Sequence, residues 1–376
     1  MIDPTLAAAI AVLALTSAFH FGSCLAVTRR IRRHRQTAVP RNPEAGVSIL
    51  RPVCGVENFI EDTLRSTFRL DYSRYEVLFC VARADDAAIP IVGRLIREHP
   101  HIDARLLIGD SSLSANPKLN NLVKGWNAAR FPWILMADSN VLMPRDQLQQ
   151  MFAAWSEGTG LVCSPPAAQL PLNGWAEIEA AFLNTHQARW QCFADSMGYG
   201  FAQGKSMLWR RDILESAGGI AALASESAED AASTKVVRQL GLAVRLVGAP
   251  FVQPLGRRSG REVWRRQLRW ARLRRDTFPA HFMLEFLCGV WPPLVAATIL
   301  AAAAIVPVTA IFALVCAWYA AEVLLARTAG WPRSAKSIAA WMVRDTLLPV
   351  LWVTAWIGNR FEWRGNAMSL AGQNRS

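Results

Sequence analysis

The chain has 376 residues, 52% of them hydrophobic, and a formal net charge of +12 at pH 7. This hydrophobic content exceeds what a soluble enzyme needs and is concentrated near the two ends, which argues against a wholly soluble protein. Arginines cluster beside the apolar segments, where anionic lipid headgroups attract them. The composition therefore predicts an anionic bilayer, and no nucleic acid, as the partner of the positive charge.

The first apolar segment, residues 6–27, contains no Lys, Arg, Asp or Glu and is long enough to span a bilayer. A cleaved signal peptide is the alternative, but its charges would precede the apolar run, whereas five arginines follow this one. We predict a transmembrane anchor over residues 1–28 and a basic juxtamembrane linker over residues 29–45. The arginines place the residues after the span in the cytoplasm.

Strand-like and helix-like runs alternate in the middle of the chain, which we interpret as a catalytic domain over residues 46–256. Near-continuous apolar strands separated by helices predict an α/β fold with a parallel sheet buried on both faces. The sequence lacks GxGxxG and GxxxxGK[ST] motifs after the first strand, which disfavours a dinucleotide-binding fold and a P-loop NTPase. The predicted strands are 47–53, 76–82, 105–108 and 133–137, and the predicted helices are 57–67, 89–98 and a segment after Pro117.

Carboxylates follow two of these strands, at the sheet edge where ligands of such folds bind. Asp85 and Asp86 could accept hydrogen bonds from a nucleotide, or they could cap the next helix. Asp138 ends the run PWILMA and begins the triplet DSN. It could hold Mg²⁺ or Mn²⁺ against a diphosphate, or the triplet could simply form a turn.

Asp230 lies in SAEDAASTKVVRQLG, a predicted helix that ends at a glycine. A carboxylate there could act as a general base that deprotonates an acceptor hydroxyl. Its neighbour Glu229 is the second candidate for that role. Ser227 and Asp230 also have the spacing of a capping box, which would make the carboxylate structural.

Residues 257–275 contain nine arginines and two tryptophans and predict an amphipathic segment over residues 257–285. In a helix, Trp264, Leu268 and Ala271 share one face, so the segment could lie at a membrane surface. Arginine forks also bind diphosphates, and tryptophan offers a flat surface to a sugar or an acyl chain.

The C-terminal membrane region, residues 286–376, is predicted to cross the bilayer two or three times. Residues 286–326 are long enough for two crossings, with a turn near Pro307 and one charged residue, Glu322. Residues 338–357 form a weaker candidate because Arg344 and Asp345 interrupt the apolar run. Scattered cysteines without a CxxC pair indicate a reduced compartment.

The order of these motifs resembles the ceramide glucosyltransferases and related membrane lipid glycosyltransferases of glycosyltransferase family 21. The pattern reads Asp-Asp, Asp, Glu-Asp and then (Q/R)xxRW, and it extends over about residues 46–280. Its members here are Asp85, Asp86, Asp138, Glu229, Asp230 and RQLRW at 266–270, supported by RPVCGVE at 51–57, LDYSRYEVLFCV at 70–81, NPKLNNL at 116–122 and AGG at 217–219.

The resemblance implies a Rossmann-like GT-A fold and an inverting transfer from a UDP-sugar, with glucose as the sugar and ceramide as the acceptor. It makes Asp230 the catalytic base and Asp138 the metal and diphosphate ligand, although DSN lacks the second carboxylate of a DxD motif. His186 is a further site candidate, against a purely structural role. The remaining donor-binding candidates are Asp85, Asp86, Lys118, Arg266, Arg269 and Trp270.

Several alternatives share parts of this pattern. A transferase acting on diacylglycerol or a hopanoid would have nearly the same motifs, and a processive polysaccharide synthase has a related QxxRW motif. A membrane-anchored scaffold would explain the arginines but not the acids at successive strand ends. The Ala- and Arg-rich composition points to a bacterium. We therefore expect an integral protein of the bacterial inner membrane, with its catalytic domain in the cytoplasm.

Overall fold

The computed structural model describes residues 3–36, 45–363 and 366–369. All four predicted strands are confirmed, as β1 to β4, and seven further strands follow them. The strands are β1 Val47–Val53, β2 Tyr75–Val81, β3 Asp103–Ile108, β4 Trp133–Ala137, β5 Thr159–Ser164, β6 Pro166–Pro171, β7 Ser206–Arg210, β8 Ala243–Leu246, β9 Phe251–Gly256, β10 Arg360–Trp363 and β11 Asn366–Ser369.

Fourteen α-helices are found within these described ranges, and a π-helical segment, Phe182–Ala188, joins the sixth to the seventh. The helices are α1 Pro4–Gln36, α2 Ile60–Ser66, α3 Ile89–Glu98, α4 Pro117–Ala128, α5 Gln147–Ala153, α6 Gly174–Ala181, α7 Arg189–Ser196, α8 Arg211–Ser216, α9 Glu229–Gln239, α10 Gly260–Thr277, α11 Pro279–Leu284, α12 Trp291–Ala302, α13 Val308–Ala329 and α14 Ala335–Trp356.

The central sheet has seven strands in the order β3-β2-β1-β4-β7-β5-β8. The first four are parallel to one another, as predicted, whereas β7 runs antiparallel to both β4 and β5. Alternate residues face opposite cores: Ile49 and Leu135 belong to one buried cluster, Leu50 and Met136 to the other. The α/β prediction of a sheet buried on both faces is therefore confirmed, although its second half is mixed.

The antiparallel pairing of β4 with β7 positions Asp138, one of the predicted site residues. Ala137, the last residue of β4, is paired with Ser206, the first residue of β7. The next residue, Asp138, donates its backbone N–H to the carbonyl oxygen of Lys205 at 3.0 Å. The register therefore fixes Asp138 beside Lys205, two residues that are far apart in the sequence.

Three helices among the described residues, α1, α13 and α14, are long and apolar enough to cross a membrane, and a fourth span results if α11 and α12 count as one bent unit. Pro307 precedes α13, as the predicted turn requires. However, α12 has only 12 residues, fewer than the roughly 20 of a span. The weaker candidate, residues 338–357, falls within the 22-residue α14 and meets the criterion fully.

The first helix extends past the predicted anchor boundary at residue 28 and ends at Gln36. Arg30 on this extension lies 2.7 Å from an oxygen of Asp195 and donates to the carbonyls of Leu246 and Val247 at 2.5 and 3.0 Å. This arginine therefore attaches α1 to the α/β domain. Residues 1–2 of the predicted anchor, 37–44 of the predicted linker, and 364–365 and 370–376 of the predicted C-terminal region lie outside the described residues.

The two charges that weakened the prediction of the last span are paired inside the protein. Arg344 on α14 lies 2.9 Å from Glu322 on α13 and 2.8 Å from Asp345. It also donates to the Thr185 hydroxyl of the π-helical segment at 2.5 Å. Charged side chains in membrane segments are stable when they face the protein interior and pair with one another. This cluster joins both helices to the α/β domain.

We predict that Arg344→Met destabilises the protein, because it leaves two carboxylates buried without their cation. The expected loss is about 3–5 kcal/mol in the free energy of unfolding. Thermal unfolding of the detergent-purified protein, followed by tryptophan fluorescence, measures it. Arg327→Met is the matched control, since Arg327 is exposed on α13, and its melting temperature should equal that of the wild type. Equal melting of both variants would contradict the prediction.

Candidate active site

A network of carboxylates and ammonium groups lies where β4 ends. The Lys118 Nζ atom is 2.6 Å from Asp138 Oδ1, 2.6 Å from Glu229 Oε1 and 2.7 Å from the carbonyl oxygen of Gly204. These contacts use all three N–H donors of the ammonium group. Lys118 therefore joins the end of β4 to the start of α9.

The N-terminus of α4 positions Lys118. The side-chain oxygen of Asn116 accepts hydrogen bonds from the backbone N–H groups of Lys118 at 2.9 Å and Leu119 at 3.2 Å, so Asn116 caps this helix. Its amide nitrogen donates to Glu229 Oε2 at 2.8 Å. One short motif, NPK, thus caps a helix, orients a lysine and holds a carboxylate.

A second ammonium group binds the other oxygen of Asp138. The Lys205 Nζ atom is 3.0 Å from Asp138 Oδ2 and 3.1 Å from Asn140 Oδ1. Burial disfavours the charged form of Asp138, but Lys118 and Lys205 outweigh burial and hold the pKa of this carboxyl group below its usual range. Behind the turn, the buried Arg51 donates to the carbonyls of Ser139 and Val141 and stabilises its shape.

Asp230 lies in the first turn of α9, beside this network. Its Oδ2 atom accepts the Gly204 N–H at 3.1 Å, and its Oδ1 atom accepts the N–H of Ala231 at 2.8 Å. Burial and the neighbouring charge of Glu229 raise the pKa of Asp230 to about 6, against the opposing charge of Lys118. A carboxyl group with this pKa is suited to accept a proton near neutral pH.

The capping-box alternative for Asp230 is wrong, because the N-cap residue of α9 is Ala228, which has no side-chain cap. A different constraint acts on the neighbouring loop. A Cβ atom on Gly204 would lie 2.7 Å from Glu229 Oε1 and 3.1 Å from Lys118 Nζ, so a side chain at this position would disturb the network.

Helix α10 carries the (Q/R)xxRW motif and lines the same cavity as the network. Its apolar residues Trp264, Leu268 and Ala271 pack together against α14, which confirms the predicted shared face. Arg266 and Arg258 both pair with the fully buried Glu179 on α6. Since two guanidinium groups share one carboxylate, the group formed by Arg258, Arg266 and Glu179 keeps a net positive charge.

Trp270 packs against a small apolar cluster that includes Leu183 and Leu255. His186 lies on the π-helical segment and is buried, and burial together with the nearby arginines, Arg344 first, lowers its pKa well below the ordinary value. A neutral imidazole results, which suits the structural alternative for His186 as well as a role in the site.

One cavity of about 1530 Å³ connects these residues. Its polar part contains most of the predicted site residues, and its apolar part is formed by membrane helix α1 and by aromatic side chains around it. The polar residues are Lys118, Asp138, His186, Lys205, Glu229, Asp230, Arg266, Arg269 and Trp270, and the apolar ones include Leu15, Phe19, Trp190, Phe282 and Trp318. A cluster of charged residues and a candidate membrane helix thus share one space.

Asp85 and Asp86 are not brought into this group, because neither of them lines the cavity. Asp85 is exposed and pairs with Arg83 at 2.6 Å. Asp86 accepts the N–H groups of Gly55 at 2.9 Å and Ala88 at 2.8 Å, just before α3. Neither of them is the N-cap residue of α3, which is Ala88 without a side-chain cap, and their donor-binding role stays a prediction.

The predicted Mg²⁺ or Mn²⁺ ion at Asp138 does not fit the side chains as they stand. Both oxygens of Asp138 are occupied by lysine ammonium groups, and the second oxygen donor of the triplet, Asn140, is a neutral amide. Within the described part of the chain, no group of three or more His, Cys, Asp or Glu side chains could hold a metal ion. Binding of a divalent cation is therefore not shown by these side chains, and it stays a prediction.

Sequence reasoning missed Lys205, Glu179 and Asn116. Lys205 follows the loop GYGFAQG, which the sequence analysis left without a role, and only the β4–β7 register reveals its neighbours. Glu179 lies in the middle of a helix with no motif around it. Asn116 could have been found, since Asn before Pro-Lys is a helix N-cap signal.

Comparisons with known proteins identify the family of the chain. The chain is 26% identical to ceramide glucosyltransferase 3 of Caenorhabditis elegans over 87% of its own length and 73% of the relative's. It is 28% identical to ceramide glucosyltransferase 1 of the same organism, over 64% of this chain and 52% of that relative. A shorter match, 39% identity over 31% of this chain and 23% of the relative, is to the ceramide glucosyltransferase of Komagataella phaffii.

Among solved structures, a mannosyltransferase from Pyrobaculum calidifontis, determined with GDP-Man and Mn²⁺, has a TM-score of 0.55. The similarity covers 92% of this chain and 98% of that chain, at 20% identity. It confirms the predicted GT-A type fold. The profile of Glycosyl transferase family 21 matches residues 8–375, nearly the entire sequence. The chain is therefore a glycosyltransferase, and it belongs to glycosyltransferase family 21.

Proposed function

We propose that this enzyme transfers a sugar, glucose in the first place, from a UDP-sugar to the hydroxyl group of a membrane lipid, ceramide in the first place. One observation carries the proposal: the cavity that contains Asp138 and Asp230 is also lined by Leu15 and Phe19 of membrane helix α1. A lipid in the bilayer could present its hydroxyl group there without leaving the membrane. The named relatives, which are ceramide glucosyltransferases, support the choice of acceptor and sugar.

The membrane would be a bacterial inner membrane, with the α/β domain in the cytoplasm. Five arginines follow the apolar run of α1, and Arg327, Arg333 and Lys336 lie in or near the connection between α13 and α14. Positive charge at both places favours the cytoplasmic side. The family membership favours an enzyme over the scaffold hypothesis.

The proposed reaction is a single displacement with inversion. Asp230 takes the proton from the acceptor hydroxyl while the acceptor oxygen attacks the anomeric carbon. The bond between that carbon and the β-phosphate oxygen breaks, and its electron pair leaves with UDP. The position of Asp230 beside the network, with a pKa raised to about 6, suits it to this role. Glu229 is less suited, because both of its oxygens already pair with Lys118 and Asn116.

The positive groups around the cavity would bind the diphosphate of the donor and stabilise charge on the departing UDP. Arg266 and Arg269 lie on α10 and line the cavity, and Trp270 in the same motif offers a flat surface to the sugar or the lipid. Lys118 acts by holding the carboxylates in place, since its three donors are occupied. No step of this mechanism requires a metal ion.

A product assay tests the proposed function. Purified protein in detergent is incubated with UDP-glucose, UDP-galactose, UDP-glucuronic acid or UDP-N-acetylglucosamine and with ceramide, diacylglycerol or a hopanoid. Mass spectrometry should identify a glycosylated ceramide, and NMR should show a β-linked sugar, as inversion of an α-linked donor requires. Transfer only to diacylglycerol or a hopanoid would replace ceramide as the acceptor. A soluble glucan as the product would refute the lipid acceptor altogether.

Replacing the proposed base gives a second prediction. Asp230→Asn should lower kcat by about 10²–10⁴-fold, the usual contribution of a positioned general base. UDP binding, measured by calorimetry, should remain. Asp212→Asn is the control, since Asp212 lies exposed on α8 and does not line the cavity. Unchanged transfer by the Asp230 variant would remove this residue from the mechanism.

The pKa of Asp230 predicts a pH dependence. The base must be deprotonated to act, so kcat should rise with pH up to a midpoint of about 6 and level off above it. Glu229→Gln removes a charge that raises this pKa, and the midpoint should therefore move to lower pH. The pH profile of kcat in both proteins measures the shift. A midpoint that stays in place or rises would contradict the assigned origin of the raised pKa.

A further inference from the structure

Lys205 is a partly buried lysine in the cavity to which the sequence motifs assign no role. We propose that its ammonium group takes the place of a divalent cation between Asp138 and Asn140 and binds the diphosphate of the donor directly. This inference rests on the proposed function, because it assumes a nucleotide-sugar donor. It adds a donor-binding residue and makes the enzyme independent of added metal.

The geometry at the DSN turn supports this assignment. The first and third residues of the triplet direct their side-chain oxygens at one atom, Lys205 Nζ, at 3.0 and 3.1 Å. Two converging oxygens are part of what a cation needs, and here an ammonium group occupies their meeting point. A divalent ion between the same oxygens would have to displace Lys205.

The remaining charges oppose a metal ion at this place. Lys118 Nζ lies 2.6 Å from the other oxygen of Asp138, so an ion that displaced Lys205 would still be close to the Lys118 ammonium group. Like charges so close in a partly buried site repel one another strongly. The DSN turn itself provides one carboxylate and one neutral amide. A second carboxylate, Glu57, accepts a hydrogen bond from the Asn140 amide at 3.3 Å and adds negative charge near Lys205. Asp138 and Glu57 together match the two ammonium groups, so a divalent ion would add positive charge without a counter-charge.

Lys205 is also held rigidly. Its carbonyl oxygen accepts the N–H of Asp138 at 3.0 Å, and the next residue, Ser206, begins the pairing of β7 with β4. The side chain is 12% exposed. An ammonium group placed in this way needs little rearrangement when the donor binds, which is the condition for effective electrostatic stabilisation.

The two lysines of the network differ in the donors that they have left. Lys118 uses three N–H groups on Asp138, Glu229 and the carbonyl of Gly204. Among the described residues, Lys205 makes two such bonds, to Asp138 and Asn140. One N–H of its ammonium group is therefore left for a phosphate oxygen of the donor. Arg266 lines the same cavity, so a diphosphate between Arg266 and Lys205 would be bound from two sides.

UDP binding to the full-length protein tests the proposal without depending on any acceptor lipid. Calorimetry is carried out with UDP in excess EDTA and again with Mn²⁺. The two Kd values for UDP should agree within about twofold, because the cation that binds the diphosphate is the side chain of Lys205. A wild-type protein that loses UDP in EDTA and regains it with Mn²⁺ overturns the proposal. Intact UDP binding without transfer to any lipid would instead count against the proposed function and leave this inference standing.

Two variants sharpen the test. Lys205→Met keeps the aliphatic chain, removes the charge and should weaken UDP binding in EDTA by about 10–100-fold. Lys336→Met is the control, because Lys336 is exposed at the start of α14 and does not line the cavity. Melting temperatures in detergent verify that both variants are folded. UDP binding by Lys205→Met equal to that of the wild type overturns the proposal.

The double variant Asn140→Asp with Lys205→Met places two carboxylates in the turn at residues 138–140 and removes the ammonium group between them. It should bind Mn²⁺, detected by electron paramagnetic resonance, and should recover UDP binding only when Mn²⁺ is present. The wild type should show no Mn²⁺ signal from this site. Equal Mn²⁺ binding by the wild type and the double variant would contradict the proposal that the Lys205 ammonium group takes the place of a metal ion.

Discussion

The pairing of one carboxylate, Asp138, with two ammonium groups is the interaction on which the site depends. Charges held largely out of water are costly unless they are paired, so Asp138 needs Lys118 and Lys205, and each lysine needs its carboxylate. Through Lys118 the pairing extends to Glu229, which precedes Asp230 in the first turn of α9. Strand β4, strand β7, helix α4 and helix α9 are thereby brought to one point.

Much of the fold could be predicted because its first half follows simple rules. Four near-continuous apolar strands alternate with helices, and their residues divide between two cores as the alternation of side chains requires. Asp138 and Asp230 could be chosen as site residues because each follows or begins a regular element. The structure lines one cavity with both, whereas Asp85 and Asp86 have the contacts of a turn before a helix.

The rest could not be predicted, because it depends on pairings between distant segments. The antiparallel β7 has no sequence signal that identifies β4 as its neighbour, so Lys205 could not be connected with Asp138. The same holds for Arg344 and Glu322, 22 residues apart on two helices: in the sequence Arg344 weakens a predicted span, and in the structure its pairing with Glu322 stabilises that helix. Charges inside apolar runs can be interpreted only when their partners are known.

Helix α1 imposes a mechanical condition on the enzyme. With 33 residues it is about 50 Å long, well beyond the roughly 30 Å of a hydrocarbon core. Arg30 near its C-terminal end is bonded to Asp195 and to the carbonyls of Leu246 and Val247 at the end of β8, whereas Leu15 and Phe19 line the cavity. The helix thus fixes the distance between the cavity and the middle of the membrane. A bilayer thinner than the apolar run of α1 would tilt the helix, and membrane thickness thereby becomes a determinant of where the cavity lies relative to the lipid headgroups.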